Sequence, residues 1–319
     1  MIDILKFIKG AVGSKDFIPS LKHVKIQQGR ITAYNGEVAL SSPIPIDLEC
    51  MPQAIPLIKT IGLCEDIVSL KLNRSGHLNL KSGKLTANIN CLPMEQGLRI
   101  EPEGEVLPIR GEKLLKCLKM IYPFVGSDAS RLWSNSVLIS KQSAFATNNI
   151  CLVEYWLGDM FPIEVSLPGD TVNEIIRINE PPISVQMCET NMTFHYEGDR
   201  WLRTQLKAQG WPDVRKFLAV ESNQKEIPED LFKGLETIKP FTDDLNRVFI
   251  SKNQISTARD TETGVSFDVD MLECEGLFSL DMLLLLKNRA SSIDLTTWPK
   301  PCAFCGDNMR GIIIGMRES

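Results

Sequence analysis

Short amphipathic helices and groups of short strands alternate along this chain. In six segments, apolar residues recur at spacings of three and four, the period of a helix with one buried face. These segments are residues 2–11, 51–64, 110–122, 168–179, 228–238 and 279–290. Between them, apolar and polar residues alternate in short runs broken by Gly, Asn and Ser, which predicts antiparallel strands joined by tight turns.

The spacing of these elements indicates an internal repeat. Helices begin at intervals of roughly 50–60 residues, and each is followed by several strands, a period typical of repeated architectures. Helices this short do not suit the crossovers of a parallel sheet. We therefore expect an α+β fold of six half-units, paired into three domains at residues 1–103, 104–217 and 218–319. The boundaries fall near an acidic linker at 98–106 and near residues 214–225.

The helix predicted at residues 110–122 has two contrasting faces. Its apolar positions are Leu114, Leu115, Leu118 and Ile121, and its basic positions are Arg110, Lys113, Lys116 and Lys119. A basic ridge is usually ordinary solvated surface. Here it stands out because the whole chain carries a formal net charge of −5. If such a protein meets nucleic acid, it must do so through a segregated positive surface.

Catalytic and nucleotide-binding motifs are absent from the sequence. No GxGxxG, GxxxxGK[ST], HExxH or GxSxG occurs in it. Nine scattered cysteines and the lack of a signal peptide favour a reducing cytoplasm. The pair Cys302 and Cys305 has no second ligand pair at zinc-site spacing, so we expect no metal and no cofactor. The apolar runs are too short to span a membrane. These observations favour a binding or scaffold protein over an enzyme.

Three short segments carry a resemblance to a known family. The first combines Arg131 with the strand end at residues 146–152, ATNNICL. The second is the turn at residues 210–213, GWPD, which leads into the basic pair Arg215 and Lys216. The third is the C-terminal stretch GIIIGMRES. In this order and spacing, they make the chain similar to the bacterial-type DNA polymerase sliding clamp, the beta subunit of polymerase III, with a phage or mobile-element member as one option.

The resemblance implies three repeated clamp domains, each with two helices packed on antiparallel sheets, and a homodimeric ring in the cytoplasm of a bacterial or phage-infected cell. Such a ring encircles duplex DNA without sequence preference and acts as a processivity factor. Its helices line the hole. The residues expected to face DNA are Lys6, Lys9, Lys15, Lys59, Arg110, Lys113, Lys116, Lys119, Arg177, Arg215, Lys216, Lys287 and Arg289.

The resemblance also implies a hydrophobic pocket that captures short peptides of the replicative polymerase and the clamp loader. Its expected residues are Thr147, Asn149, Ile150, Cys151, Leu152, Ala219, Ile312, Ile314, Gly315, Met316 and Arg317. The chain departs from the family pattern at residues 149–151 and at its C-terminus, so the location of the pocket is better defined than its specificity. Ile89 and Ile238 are the expected contacts of the dimer interface.

The sequence leaves two alternatives to a sliding clamp. One is a non-enzymatic, β-rich structural phage protein that does not encircle DNA, in which the basic ridge is only solvated surface. The other is a metal hydrolase that uses Cys302 and Cys305.

Overall fold

A computed structural model describes residues 1–13, 17–65, 68–159, 161–206, 210–260, 263–270 and 272–317. The chain forms two compact units. Unit 1 comprises Met1–Leu115 with Asp170–Lys207, and unit 2 comprises Lys116–Gly169 with Ala208–Ser319.

The helices of the described chain are short. They are α1 (Ile2–Ile8), α2 (Ala54–Gly62), α3 (Gly111–Ile121), α4 (Gly169–Ile178), α5 (Arg215–Leu218), α6 (Glu229–Ile238) and α7 (Leu280–Leu284). Five of the six predicted helices match within a few residues. The last is shorter than predicted because the backbone after Leu284 tightens, and Leu286 and Lys287 bond to carbonyls three residues back instead of four. Helix α5 was not predicted.

The strands are short as well. The first nine are β1 (Lys25–Gln27), β2 (Arg30–Tyr34), β3 (Val38–Pro43), β4 (Met51–Pro52), β5 (Ser69–Leu72), β6 (Leu78–Ser82), β7 (Leu85–Ile89), β8 (Cys91–Leu92) and β9 (Glu105–Pro108). The next seven are β10 (Ser136–Ser140), β11 (Ser143–Thr147), β12 (Cys151–Trp156), β13 (Val165–Pro168), β14 (Ser184–Met187), β15 (Asn191–Tyr196) and β16 (Arg200–Gln205). The last eight are β17 (Lys225–Glu226), β18 (Arg247–Ser251), β19 (Gln254–Ser256), β20 (Ser266–Asp268), β21 (Gly276–Ser279), β22 (Ser292–Ile293), β23 (Cys302–Gly306) and β24 (Met309–Ile313).

Unit 1 is organised around a seven-stranded antiparallel sheet in the order β1-β2-β3-β16-β15-β14-β9. A three-stranded sheet, β5-β6-β7, and the pair β4-β8 complete its strands. Helix α1 packs on β3 and buries Leu5, Phe7 and Ile8. Ile31 and Ala33 on β2 are buried while the residues between them are half-buried, so the alternation in the sequence becomes one core-facing side of the sheet.

Unit 2 is organised around an eight-stranded antiparallel sheet in the order β13-β10-β11-β12-β24-β23-β22-β17. A four-stranded sheet, β20-β19-β18-β21, accompanies it. The hairpin turns at Asn253 and Asn308 have positive φ angles of 57° and 54°. Asn adopts this conformation more readily than most residues, which is why both turns are tight.

The two units cut across the predicted middle domain, residues 104–217. This has a physical reason, because each large sheet joins strands from two predicted domains. Strand β3 pairs with β16 in unit 1, and β12 pairs with β24 in unit 2. The three domain boundaries stay a prediction, whereas the α+β plan of short helices and antiparallel sheets is confirmed.

Candidate functional site

Helix α3 exposes its basic ridge. Leu114, Cys117, Leu118 and Ile121 are at most 2% exposed. On the other side, Arg110, Lys113, Lys116 and Lys119 are all exposed. Lys116 Nζ donates to Asp307 Oδ2 at 3.2 Å, and this hydrogen bond raises the pKa of the lysine. The helix therefore presents a row of exposed cations along one face.

The other predicted cations fall into two groups. Lys6, Lys9, Lys59 and Lys216 are exposed, while Lys15 lies outside the described residues. Of these, Lys6 has an exposed ion-pair partner, with its Nζ 3.5 Å from Asp3 Oδ1. The second group, Arg177, Lys287, Arg289 and Arg215, contacts groups from other elements of the fold.

Arg177 on α4 is held inside unit 1. Its guanidinium contacts the carboxylate of Glu174 with three distances between 2.5 and 2.9 Å. It also donates to the backbone oxygens of Lys6 at 3.0 Å and Phe7 at 2.6 Å. Glu174 is only 7% exposed. The arginine thus neutralises a buried carboxylate. It also donates hydrogen bonds to carbonyls at the C-terminal end of α1, where the last carbonyl groups of a helix have no donor within the helix.

Lys287 and Arg289 follow helix α7 in unit 2. Lys287 Nζ lies 2.5 Å from Glu236 Oε1 on α6. Arg289 donates to the backbone oxygens of Leu285 at 3.0 Å and Met120 at 3.2 Å, and burial lowers its pKa. These two side chains have structural partners that the sequence did not suggest.

The turn between β11 and β12 is fixed by its own polar side chains. Thr147 Oγ1 donates to the backbone oxygen of Cys151 at 2.6 Å and accepts from the amide of Asn149 at 3.1 Å. Asn148 Oδ1 accepts from the amides of Ile150 and Cys151 at 3.1 and 2.7 Å. Asn149 has a positive φ of 70°. Side-chain hydrogen bonds from Asn and Thr to the backbone therefore fix the conformation of this turn. In that conformation, the side chain of Ile150 points outward and is 41% exposed.

The C-terminal segment lies directly beside this turn. Leu152 faces Ile312 across the β12–β24 ladder, and the amide of Ile314 donates to the backbone oxygen of Ile150 at 2.9 Å. Beyond the strand, the amide of Met316 donates to the backbone oxygen of Leu277 at 2.7 Å. The structure therefore brings together two segments that were predicted to share a pocket although about 160 residues separate them.

An apolar cluster underlies the two segments, and we call it the groove cluster. It consists of Phe145, Leu152, Val214, Leu218, Ala303 and Ile312, with Leu138, Trp211 and Val220 packed against it. Cys151 is 1% exposed, and burial raises the pKa of its thiol to about 12, so it contributes as a neutral apolar group. Ile150, Ile314 and Phe217 remain 41–50% exposed. The arrangement is a buried apolar floor with exposed apolar side chains on adjoining segments.

Sequence reasoning missed the contribution of α5 to the groove cluster. Val214 and Leu218 are four residues apart, a helical spacing that could have identified them. Arg215, expected to face DNA, lies with its guanidinium 5.1 Å from the ring centroid of Phe145 and donates to Ser140 Oγ at 2.7 Å. The structure thus places Arg215 against the groove cluster. Ala219 is exposed and next to Leu218.

One further expectation needs correction, and the metal-hydrolase alternative meets a geometric obstacle. Ile89 and Ile238 are 3% and 0% exposed within a single chain, so their side chains have no surface to offer a partner. Cys302 and Cys305 lie three residues apart on β23, and side chains at that spacing point to opposite faces of a strand. This separation does not suit joint coordination of one metal ion.

Comparisons with known proteins show which solved structures share the fold of this chain. No protein-family model matches the chain, and no curated protein matches it. Solved structures do match over nearly the full length. The DNA polymerase sliding clamp of Bacillus subtilis has a TM-score of 0.85 at 16% identity, covering 100% of this chain and 97% of that one. The chain has the sliding-clamp fold.

Other clamp structures agree. The sliding clamp of Bartonella birtlesii, the polymerase III beta subunit bound to griselimycin, has a TM-score of 0.85 at 15% identity, with 99% of this chain and 97% of that one covered. The beta subunit of Streptococcus pyogenes has a TM-score of 0.82 at 20% identity with the same coverage. Among the described residues, no helix is both long and apolar enough to cross a membrane.

Proposed function

We propose that this protein is a DNA sliding clamp. Two copies close into a ring around duplex DNA and hold a replicative polymerase on its template in the cytoplasm of a bacterial or phage-infected cell. The observation that carries the proposal is the clamp fold over 99–100% of the chain, together with an exposed row of cations on α3.

The charge distribution supports contact with DNA along the helices. A protein with a net charge of −5 repels DNA over most of its surface, so an exposed basic ridge gives binding a preferred side. Lysine contacts with phosphate are independent of base sequence and weaken as salt rises. Contacts of this kind hold a ring on DNA and still allow it to slide. By resemblance to the clamps, Lys6, Lys9, Lys15 and Lys59 are also proposed to contact DNA, with a lesser role for Arg177, Lys287 and Arg289.

The groove cluster supports capture of a short peptide. A buried apolar floor with a few polar groups at its edge is the usual form of a site that binds apolar anchor residues. Ile150, Ile314 and Phe217 expose apolar surface that a peptide would cover, and Arg317 and Ala219 are exposed nearby in sequence. The proposed ligands are short peptides of the polymerase and of the clamp loader. The clamp itself performs no catalysis in this proposal.

The proposal is tested by retention on DNA of different topology. Chains are mixed with a nicked circular plasmid at low salt, so that rings can close around the DNA, and bound protein is separated by gel filtration at about 0.15 M salt. A clamp stays on the circle and is lost when a restriction enzyme linearises it. A structural protein that merely adheres to DNA, the alternative reading, is lost equally from circular and linear forms or binds neither.

A further inference from the structure

The row of cations on α3 includes a lysine that has an acidic partner from a distant part of the chain. Lys116 Nζ lies 3.2 Å from Asp307 Oδ2, and the two side chains are 62% and 75% exposed. Exposed ion pairs contribute little to the stability of a fold. Stability is therefore not a sufficient reason for a carboxylate at this place, beside the residues proposed to contact DNA.

The carboxylate is held next to α3 by the turn that carries it. Asp307 and Asn308 connect β23 to β24, and Asn308 has a positive φ of 54°. The backbone oxygen of Asn308 accepts from the amide of Trp156 at 2.8 Å, and the side chains of Asn308 and Tyr155 are hydrogen-bonded. Hydrogen bonds to β12 thus fix the position of Asp307 without using its carboxylate.

Helix α1 has the same feature at the equivalent position. The sequences ILKFIK at residues 4–9 and LLKCLK at residues 114–119 share one pattern, so Lys6 is equivalent to Lys116. Lys6 Nζ lies 3.5 Å from Asp3 Oδ1 on the same helix. An acid therefore lies beside this lysine in both units, although it comes from a different element in each.

The equivalent hairpin of unit 1 shows that the fold alone does not dictate the pair at Lys116. The turn between β15 and β16 corresponds to the turn between β23 and β24, since β16 pairs with β3 as β24 pairs with β12. It carries Asp199, whose carboxylate pairs with Arg30 on β2. The two turns therefore place their acids on different partners, and the contact of Asp307 with a basic helix is a property of unit 2.

We propose that Asp307 attenuates DNA binding by competing with phosphate for Lys116. The inference rests on the proposed sliding clamp and concerns how tightly that clamp holds its template. Carboxylate and phosphate oxygens accept the same kind of charge-assisted hydrogen bond from a lysine. Because the ion pair is exposed and weak, a phosphate can displace the carboxylate, and the carboxylate can recover the lysine as the phosphate leaves. Each contact with DNA is then shorter-lived, which favours movement along the duplex.

The substitution Asp307→Asn keeps the size of the side chain and removes its charge. Binding to a short labelled duplex is measured by fluorescence anisotropy from about 50 to 200 mM salt. An exposed carboxylate beside a lysine changes affinity roughly 1.5- to 5-fold at each site, and a ring has two sites. We therefore expect the variant to bind about 2- to 25-fold more tightly than the wild type. The slope of log affinity against log salt should steepen by up to about 2.

The matched control is Glu273→Gln, which changes the net charge by the same amount. Glu273 also forms an exposed ion pair with a lysine, and its Oε2 lies 2.7 Å from Nζ of Lys225 on strand β17. Because this pair is not on a helix proposed to contact DNA, the control should gain less than about twofold in affinity. Equal gains in the two variants would mean that net charge, and not the position of Asp307, sets the affinity, and would overturn the proposal.

A double-mutant cycle with Lys116→Gln tests whether the effect passes through this lysine. In the Lys116→Gln background, Asp307→Asn should change affinity by less than about 1.5-fold. A gain of undiminished size in that background would show that the carboxylate repels DNA directly, and would overturn the competition. Asp307→Ser, a second neutral variant, should reproduce the gain of Asp307→Asn. Urea unfolding checks that each variant is folded before affinities are compared.

Retention on circular DNA separates this inference from the clamp function. Wild type and Asp307→Asn should both stay on a nicked circle and leave once it is linearised. Retention of both proteins without any gain in affinity for Asp307→Asn would overturn the role of Asp307 and leave the clamp function standing. A wild type that is not retained on circular DNA would overturn the clamp, and the role of Asp307 with it.

Discussion

Helices α3 and α4 have similar lengths and similar amphipathic patterns, yet they use basic side chains in opposite ways. On α3, Lys113, Lys116 and Lys119 stand on an exposed ridge. On α4, Arg177 is drawn onto the buried carboxylate of Glu174 and onto two backbone carbonyls at the end of α1. A basic residue on a helix is therefore a stronger candidate for DNA contact when its side chain is exposed than when it neutralises a buried carboxylate. The following predictions test that contrast.

Charge reversal on the α3 ridge should have the largest effect. We expect the triple variant Lys113→Glu, Lys116→Glu, Lys119→Glu to lose on the order of a hundredfold or more in DNA affinity, because a ring would exchange six cations for six anions beside phosphates. The affinity of the wild type should fall steeply with salt, and the variant should show a smaller slope. Stability should change by no more than about 0.5 kcal/mol per exposed site. Unchanged binding would remove α3 from the DNA-facing surface.

Removal of the Arg177 side chain should instead weaken the fold. Arg177→Met leaves the nearly buried Glu174 carboxylate without its cation. We expect the free energy of unfolding to fall by about 2 kcal/mol. This is less than the cost of breaking a fully buried ion pair, because the arginine is partly exposed. Urea unfolding measures this change. The matched control is Lys113→Met on α3, which should cost less than about 0.5 kcal/mol.

A second change should rescue the Arg177 variant. Adding Glu174→Gln removes the unpaired charge and should recover most of the lost stability. DNA affinity per folded molecule should barely move in either variant. If Arg177→Met left stability intact and reduced DNA affinity as much as a lysine change on α3, the contrast between the helices would be wrong.

Peptide binding at the groove cluster should be independent of the basic residues on α3 and α4. Ile150 and Ile314 are more than 40% exposed, so Ile150→Asp with Ile314→Asp should fold normally. Replacing two apolar contacts with charges should weaken peptide binding about tenfold or more, while DNA retention stays unchanged. Fluorescence anisotropy with labelled short peptides from a bacterial replicative polymerase measures the first effect. Equal binding by variant and wild type would place the peptide site elsewhere.

The smallest expected effect concerns an ion pair just after α4. Arg200 lies 2.5 Å from Glu180, and its hydrogen bonds lower the pKa of that carboxyl below the usual value. A carboxyl with a lowered folded-state pKa adds stability above its unfolded pKa of about 4.3 and loses it as pH falls through the folded value. The stability difference between wild type and Arg200→Met should therefore shrink between about pH 5 and pH 3. A difference that did not change with pH would mean that the charge of Glu180 adds nothing to stability through Arg200.

The sequence predicted those features that depend on local periodicity. Spacings of three and four located five helices closely, and alternation indicated antiparallel sheets. The exposed face of α3 was also predictable, because its lysines recur every three residues. Val214, the residue just before α5, and Leu218 within it follow the same rule at a spacing of four, but a helix of 4 residues is too short for that pattern to repeat.

Other features depend on residues far apart in sequence, and periodicity cannot reveal those. The partners of Arg177 include carbonyls about 170 residues earlier, and the partner of Lys287 lies 51 residues away on α6. Ile89 and Ile238 looked like candidates for an interface, but each is enclosed by the chain's own core.

The most direct test of the account is the lifetime of the protein on one closed circle of DNA before and after a single cut, at constant salt. A ring that encircles DNA should remain for many minutes on the intact circle and leave soon after the cut, by sliding off the new ends. Blocking both ends of the linear DNA with bound protein should restore the long lifetime. Equal lifetimes on intact, cut and blocked DNA would contradict encirclement and with it the proposed function.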